Sequence, residues 1–370
     1  MCCRNTGLSR VSLNKNEAVT ETVEGMYMYK KSILGLVFAL MVFGLAQADT
    51  VKLNPNHPDK YVVVRGDTLW DISGRFLQNP WQWPEIWHIN QQIANPHLIY
   101  PGDTINLIYV DGKPRLVVNR GSKTVKLTPK GHIIPLDQAI NTIPLGAIKQ
   151  FLKEPTIVGK NALDKAPYIV AHKGEHLATS SNDSIYVRGI KDTSIRKYSV
   201  VRAGNTYIDP TTKEVLGYEA LFVGNAKLYR TGDPATLRLT RTVRETLIGD
   251  RLIPSGDDKF DANFIPRPPS SQIDGRILAV LDGVNQIGKN QVVVINKGSR
   301  EGLKPGHVLD IYQAGATIDD SVTKKRGDVV TLPDEKAGTL MIFRTFEKVS
   351  YALVMKSSRN MNVMDIVRNP

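Results

Sequence analysis

The alternation of apolar and polar positions divides the chain into a short mixed segment and a long strand-rich one. From about Lys60 to Val110 the order is strand, helix, helix, strand. Tyr61-Val62-Val63-Val64 is a short β-branched run, and Gly66-Asp67 is a turn. Thr68, with Asp71 three residues later, has the form of a capping box with Asp in place of Glu or Gln. Leu69, Ile72, Ser73 and Phe76 then follow helical spacing until Pro80 breaks it. Pro84 suits the first position of a second helix, PEIWHINQQI, with Ile86, Ile89, Asn90 and Ile93 along one side. Asn95-Pro96 and Pro101-Gly102-Asp103 mark turns, and Thr104 to Ile108 is the closing strand.

Residues 111–167 read as a connector, with strand-like pieces at Arg115 to Val118 and Thr124 to Leu127 and a helix near Gly146 to Leu152. Residues 168–254 and 273–370 are β-rich with regular turn signals. Between them, residues 255–272 contain PRPPSSQ and form a Pro-rich linker. The two β-rich blocks are candidate copies of one unit. VVRAG at Val200 matches DIYQAG at Asp310, Gly217 aligns with Gly338, and RETLIGDRL at Arg244 parallels RNMNVMDIV at Arg359. The predicted class is therefore α+β: a small βααβ domain followed by a mostly-β region of two β-barrel-like modules, a candidate internal repeat.

The N-terminal pattern sets the compartment. Lys30 and Lys31 precede SILGLVFALMVFGLA and then Ala46-Gln47-Ala48, a signal peptide over residues 26–48 with cleavage expected after Ala48. Residues 1–25, with Glu17, Glu21 and Glu24, make a poor n-region and read as a misplaced start or a non-essential extension. An uncleaved anchor is the alternative, although the apolar run is short for a membrane span. Both cysteines, Cys2 and Cys3, precede the signal, so a chain starting at Asp49 has no disulfide, cysteine nucleophile or lipid anchor. Removal of residues 1–48 takes away five Lys/Arg and three Glu, lowering the formal charge from +12 to +10. This excess suits polyanionic neighbours or a simply lysine-rich solvated surface. The expected location is the periplasm of a Gram-negative bacterium, cell-wall associated, with nothing spanning the membrane after cleavage.

Two motifs invite chemistry and fail on context. His172-Lys173-Gly174-Glu175-His176 spells H-x-x-E-H, which on a helix holds zinc with Glu as base. Tyr168-Ile169-Val170 before it is strand-like, and Lys173-Gly174 suits a turn. Gly283 to Asn290 fits seven positions of a P-loop, but Asn290 replaces the magnesium-holding Ser/Thr and QVVVINKG, a strand, follows. No Ser/His/Asp arrangement or glycosidase carboxylate pair stands out, and Asp319-Asp320 lies in a polar loop. The aromatic cluster lies among few basic residues, which argues against nucleic acid. No catalytic, metal, nucleotide or cofactor site is predicted.

YVVVRGDTLWDIS and LIYPGDTINL resemble the opening and closing of a LysM domain, over residues 60–110. The resemblance implies binding to N-acetylglucosamine-containing glycan, in bacteria peptidoglycan, in a groove between Gly66-Asp67-Thr68-Leu69 and Asn95-Pro96-His97-Leu98-Ile99. Backbone groups of those loops would pair the acetamido group, and Leu69, Leu98 and Ile99 would meet its methyl. The chain departs from the LysM pattern at QNPWQWPEIW, where three of its four tryptophans lie. Trp70 and Trp87 are expected in the module's core, and Trp81 and Trp83 in an enlarged loop or docking patch.

The stretches PLGAIKQFL, APYIVAHKGEHL, VVRAGNTYIDPTTKEVLGYEA and NKGSREGLKPGHVLDIYQ resemble the LysM proteins associated with the type IV pilus secretin (TsaP-like). The last is also similar to the C-terminal domain of a flagellar T-ring protein. These resemblances imply a non-enzymatic adaptor that anchors or aligns an outer-membrane secretin, or a similar envelope ring protein, to peptidoglycan. One LysM copy per chain implies avidity through a ring-like homo-oligomer in the complex. The alternatives are a LysM-targeted wall hydrolase and a flagellar basal-body ring component.

Overall fold

A computed structural model describes residues 51–87, 98–120, 139–153, 157–159, 161–174, 181–255, 264–281, 286–320, 322 and 327–370. The signal-peptide segment and the candidate strand Thr124 to Leu127 lie outside these residues. No helix among the described residues is long and apolar enough to cross a membrane.

The first part is a three-stranded antiparallel sheet in the order β1 (Lys60–Val62), β2 (Thr104–Val110), β3 (Lys113–Asn119). One face carries the Leu69–Phe76 helix, a 3-10 turn at Pro80–Gln82 and the short Trp83–Ile86 helix. The latter begins at Trp83, one residue before the expected Pro84, and residues 88–97 lie outside the described chain. β3 contains the strand expected in the connector. Asp111 and Gly112 both take positive φ (50° and 71°), a tight hairpin that returns the chain along β2. Leu116 is thereby set opposite Leu107 and buried with Leu69, Ile72, Phe76, Trp83, Ile86, Ile99 and Ile105.

The connector then supplies the Leu145–Lys153 helix, β4 (Ile157–Val158) and a short helix at Ala162–Lys165. Next come β5 (Tyr168–His172), β6 (Ser184–Arg188), β7 (Lys197–Ile208), β8 (Val215–Arg230), β9 (Ala235–Thr242) and β10 (Arg251–Pro254). They pair in the order β4-β8-β7-β10-β5-β6-β9, and β8 also pairs with β9, so six strands make a circuit. The second block has β11 (Asp274–Leu281), β12 (Gln286–Ile287), β13 (Val292–Ile295), β14 (Val308–Gln313), β15 (Thr317–Asp319) and β16 (Val329–Thr331). It continues with β17 (Glu335–Thr345), β18 (Ser350–Ser357), β19 (Met361–Asn362) and β20 (Ile366–Arg368). Its closed barrel runs β11-β13-β18-β17-β14-β20; β12 pairs with β19, and β15 with β16, outside it.

The two circuits are the same. Replacing β5, β6, β7, β8, β9 and β10 by β11, β13, β14, β17, β18 and β20 converts one strand order into the other. All three sequence matches fall on, or lead into, strands equivalent in this way. The closing turns agree in hydrogen bonding too. Ile169 N–H donates to Asp250 O (2.9 Å) and Gly249 N–H to Ile169 O (2.9 Å). Ile277 N–H donates to Asp365 O (3.0 Å) and Met364 N–H to Ile277 O (2.8 Å). The expected repeat is therefore present in topology.

The barrels differ in what they bury. Each has an interior cluster, with Val187, Val200, Val223 and Leu237 in the first and Ile277, Leu309, Leu340 and Val354 in the second. The second also buries the opposite face of its strands: Val292, Val294, Met341, Phe343, Tyr351 and Leu353 form a further cluster. Onto that face pack Ile143 and Ile148 of the connector, Tyr207 and Leu216 of the first barrel, and Trp70 and Trp81 of the first part.

Candidate carbohydrate-binding site

Two similar turns frame the site. In the first, Asp67 N–H donates to Val64 O (3.2 Å), and the Asp67 carboxylate accepts from Val64 N–H and the Tyr61 hydroxyl (both 2.9 Å). Gly66 has φ +97°, which a side chain would strain. In the second, Asp103 N–H donates to Tyr100 O and Tyr100 N–H to the Asp103 carboxylate (both 3.0 Å). Val63 clamps the two together, donating to Asp103 O (2.9 Å) and accepting from Gly102 N–H (2.8 Å). The predicted site residues Gly66 and Asp67 thus build a turn whose position is fixed against the Tyr100–Asp103 turn.

Thr68 caps the helix, its hydroxyl accepting from Asp71 N–H at 3.1 Å and donating to the Asp71 carboxylate at 2.7 Å. Capping by Thr68 leaves the helix's earliest donors, Leu69 N–H and Trp70 N–H, to other partners. Those partners come from the connector. Leu69 N–H donates to Asn141 O (2.9 Å), Trp70 N–H to Thr142 O (3.1 Å), and Ile140 N–H to Ile99 O (2.8 Å). Thr68 and Asn141 form a parallel β-bridge. Residues 140–142 therefore lie between the two loops named from the sequence.

The structure brings Gly66, Asp67, Thr68, Leu69, Leu98 and Ile99 into one neighbourhood, while Asn95, Pro96 and His97 lie outside the described residues. The Leu69 and Ile99 side chains are fully buried in the core, and Leu98 is 42% exposed. The Leu98 carbonyl accepts from the Arg120 guanidinium, which also stands 3.6 Å from the Asp103 carboxylate. Beside the turn lies a cleft of about 700 Å³, lined by Arg65, Gly66, Asp67, Thr68 and Asp71. Ile140, Asn141 and Pro144 to Gly146 line it too, and so does Asn290 of the second barrel. The mouth is polar and of mixed charge, Asp71 taking a hydrogen bond from Lys289 Nζ at 3.0 Å. Such a surface can pair hydroxyl and amide groups.

The part played by residues 140–142 was not foreseen. AINTI lacks any helical or strand period long enough to predict an element, and its partners are backbone groups without a sequence signature. The tryptophans also divide differently from expectation. Trp83 (2% exposed) and Trp87 (6%) pack edge-to-face in the small core, with ring centroids 6.3 Å apart. Trp70 and Trp81 instead face the second barrel, across a 180 Å³ cleft shared with Lys336, Gly338 and Thr339. Trp70, one residue on from Leu69, is turned about 100° round the helix, so its ring leaves the small core and fills the interface.

The other sequence motifs fall on strands and turns. His172 ends β5, buried, and is followed by Gly174 at φ +96°; Glu175 and His176 lie outside the described residues. Asn290 is a positive-φ turn residue (φ 66°) before β13, where a P-loop would need a helix.

Residues 61–107 match the LysM domain family. Over 60 residues the chain is also 35% identical to the uncharacterised protein YqbP of Bacillus subtilis (strain 168). That alignment spans 14% of this chain and 27% of YqbP. The two clamped turns, the capped helix and this match agree: residues 61–107 are a LysM domain, a carbohydrate- and peptidoglycan-binding module rather than a catalytic one.

Proposed function

We propose that this protein is a non-enzymatic periplasmic adaptor that holds an outer-membrane secretin, or a comparable envelope ring, to peptidoglycan. The observation that carries the reading is the junction of the LysM domain with the barrel pair. Trp70 and Trp81 seat the glycan-binding module on the second barrel, and the first barrel's β7–β8 hairpin seats on the same cluster. A wall-bound LysM domain and a protein-binding barrel joined this way transmit position as well as attachment. The export pattern before Asp49, the basic charge and the secretin-associated resemblance support the periplasmic and ring-bound parts of the reading.

The test is sedimentation of the purified chain with bacterial sacculi. The chain should pellet with them, be competed off by soluble chitotetraose, and release no muropeptide. A chain that stays in the supernatant removes the wall-binding reading, and released fragments would replace the adaptor by a hydrolase. Cross-linking in intact envelopes then tests the partner, which should be a ring-forming outer-membrane protein.

A further inference from the structure

Residues Ile140–Thr142 bond to Leu69, Trp70 and Ile99, beside the place where the LysM resemblance expects a glycan. We propose that residues Ile140–Thr142 compete with the glycan, so that binding requires this segment to withdraw. The proposal rests on the glycan reading above. Its chemical basis is that a backbone peptide and an acetamido group are the same functional group, a secondary amide. The segment gives a carbonyl to Leu69 N–H at 2.9 Å, another to Trp70 N–H at 3.1 Å, and an N–H to Ile99 O at 2.8 Å. An N-acetylated sugar lying between the two loops would need the same donors and the same acceptor. Both cannot hold them at once.

The segment is anchored by packing but not perfectly seated. Ile140 is 7% exposed and belongs to the LysM core cluster, while Ile143 (1% exposed) belongs to the second-barrel face. Between them Thr142 is 3% exposed, and its hydroxyl has no hydrogen-bond partner among the described residues. An unmade buried hydrogen bond penalises the docked state. These three bonds, among the described residues, join main-chain groups and involve no charged group. Downstream, the Leu145–Lys153 helix lies on the second barrel, where the Arg344 guanidinium donates to Phe151 O at 2.7 Å.

The test uses the full chain carrying Cys2→Ser and Cys3→Ser, with Thr68→Cys and Asn141→Cys introduced at the bridged pair. Chitotetraose is titrated calorimetrically into the oxidised and the reduced forms of the same protein. The oxidised form should bind at least about tenfold more weakly, because the competent population is removed. Ile140→Ala, which loosens the segment, should bind several-fold more tightly than the unaltered chain. Amide exchange gives a readout without substitutions: saturation with chitotetraose should deprotect Ile140 N–H, whose acceptor has been taken. Equal affinity in the oxidised and reduced forms, or unchanged Ile140 protection in a chain that does bind, overturns the competition and leaves the glycan reading standing. Absence of binding in the unaltered, reduced and Ile140→Ala proteins alike overturns both.

Discussion

The two barrels share one strand circuit and put it to different use. In the first, β9 reads ATLRLTRT, with Leu237 and Leu239 buried and Arg238 and Thr240 exposed. In the second, β17 carries LMIF and β18 YALVM, buried without interruption. Alternate residues of these runs enter different clusters: Leu340, Ile342, Ala352 and Val354 line the interior, and Met341, Phe343, Tyr351 and Leu353 the outer face. A strand wet on one side needs only every second position apolar, whereas one covered on both sides needs them all. The first barrel's outer face carries a small cluster of Leu163, Val201 and Ala220, whereas the second is a hub to which LysM, connector and first barrel attach.

The sharpest way to break this contrast is at equivalent phenylalanines. With Gly217 aligned to Gly338, Phe343 corresponds to Phe222. Phe343 is fully buried, while Phe222 is part-exposed under the Arg241 guanidinium, 5.8 Å from its ring centroid. Phe343→Ala should destabilise by about 3–5 kcal/mol in urea unfolding, and Phe222→Ala by about 1 kcal/mol. Equal losses would mean that the outer face of the second barrel is not a packed interface.

The tryptophans separate attachment from folding. Trp83→Ala should unfold the LysM domain, at about 3–4 kcal/mol, because its ring fills that core. Trp81→Ala should leave the domain folded but detached, at about 2–3 kcal/mol, with faster proteolysis between LysM and the second barrel. Identical proteolytic patterns for the two variants would contradict the assignment.

Closing-turn aspartates offer a smaller comparison. The Asp250 carboxylate, buried in the first barrel, takes Arg202 Nε (2.8 Å), Arg202 Nη2 (2.9 Å) and Leu247 N–H (2.8 Å). Its counterpart Asp365 accepts from Asn362 N–H at 2.8 Å, and burial pushes its carboxyl pKa up. Asp250→Ala should cost about 2–3 kcal/mol and Asp365→Ala about 1 kcal/mol, read from thermal midpoints. The reverse order would deny the Arg202 pair its role.

Much of this architecture was legible because it is local or periodic. The RGDTL turn and cap, the helix spacing of Leu69, Ile72 and Phe76, and the strand-rich remainder follow from short-range rules. The repeat was legible through Gly217 and Gly338, which stand where other atoms crowd the backbone. A Cβ on Gly217 would lie 2.8 Å from Ile157 Cγ2, and one on Gly338 2.4 Å from Lys356 O. What was not legible depends on long-range contact. Trp70 and Trp83 are both apolar residues in the same window, and only the position of the second barrel decides which ring leaves the small core. Residues 140–142 act through main-chain amides, which every sequence possesses. The resemblance therefore names a candidate groove, but nothing in the sequence points to residues 140–142 beside it.

The smallest effect tests how the barrels are held to one another. The β7–β8 hairpin tip of the first barrel presents Asp209 to Asn296 Nδ2 (2.8 Å) and Glu214 to Arg300 Nη1 (3.0 Å) and Lys348 Nζ (2.7 Å). Hydrogen bonds from Arg300 and then Lys348 hold the Glu214 carboxyl down at about 2, from an ordinary 4.5. A carboxylate depressed by folding stabilises the folded state above its ordinary pKa, and that contribution fades as pH falls through the folded value. The difference in thermal midpoint between the unaltered chain and Glu214→Gln should thus be constant above about pH 5 and vanish towards pH 2. Because the pair is exposed to solvent, the difference should be small and shrink in high salt. A difference that persists at pH 2 in high salt would show that the hairpin is held by shape and by the Asp209–Asn296 bond, with Glu214 contributing no charge-dependent attachment.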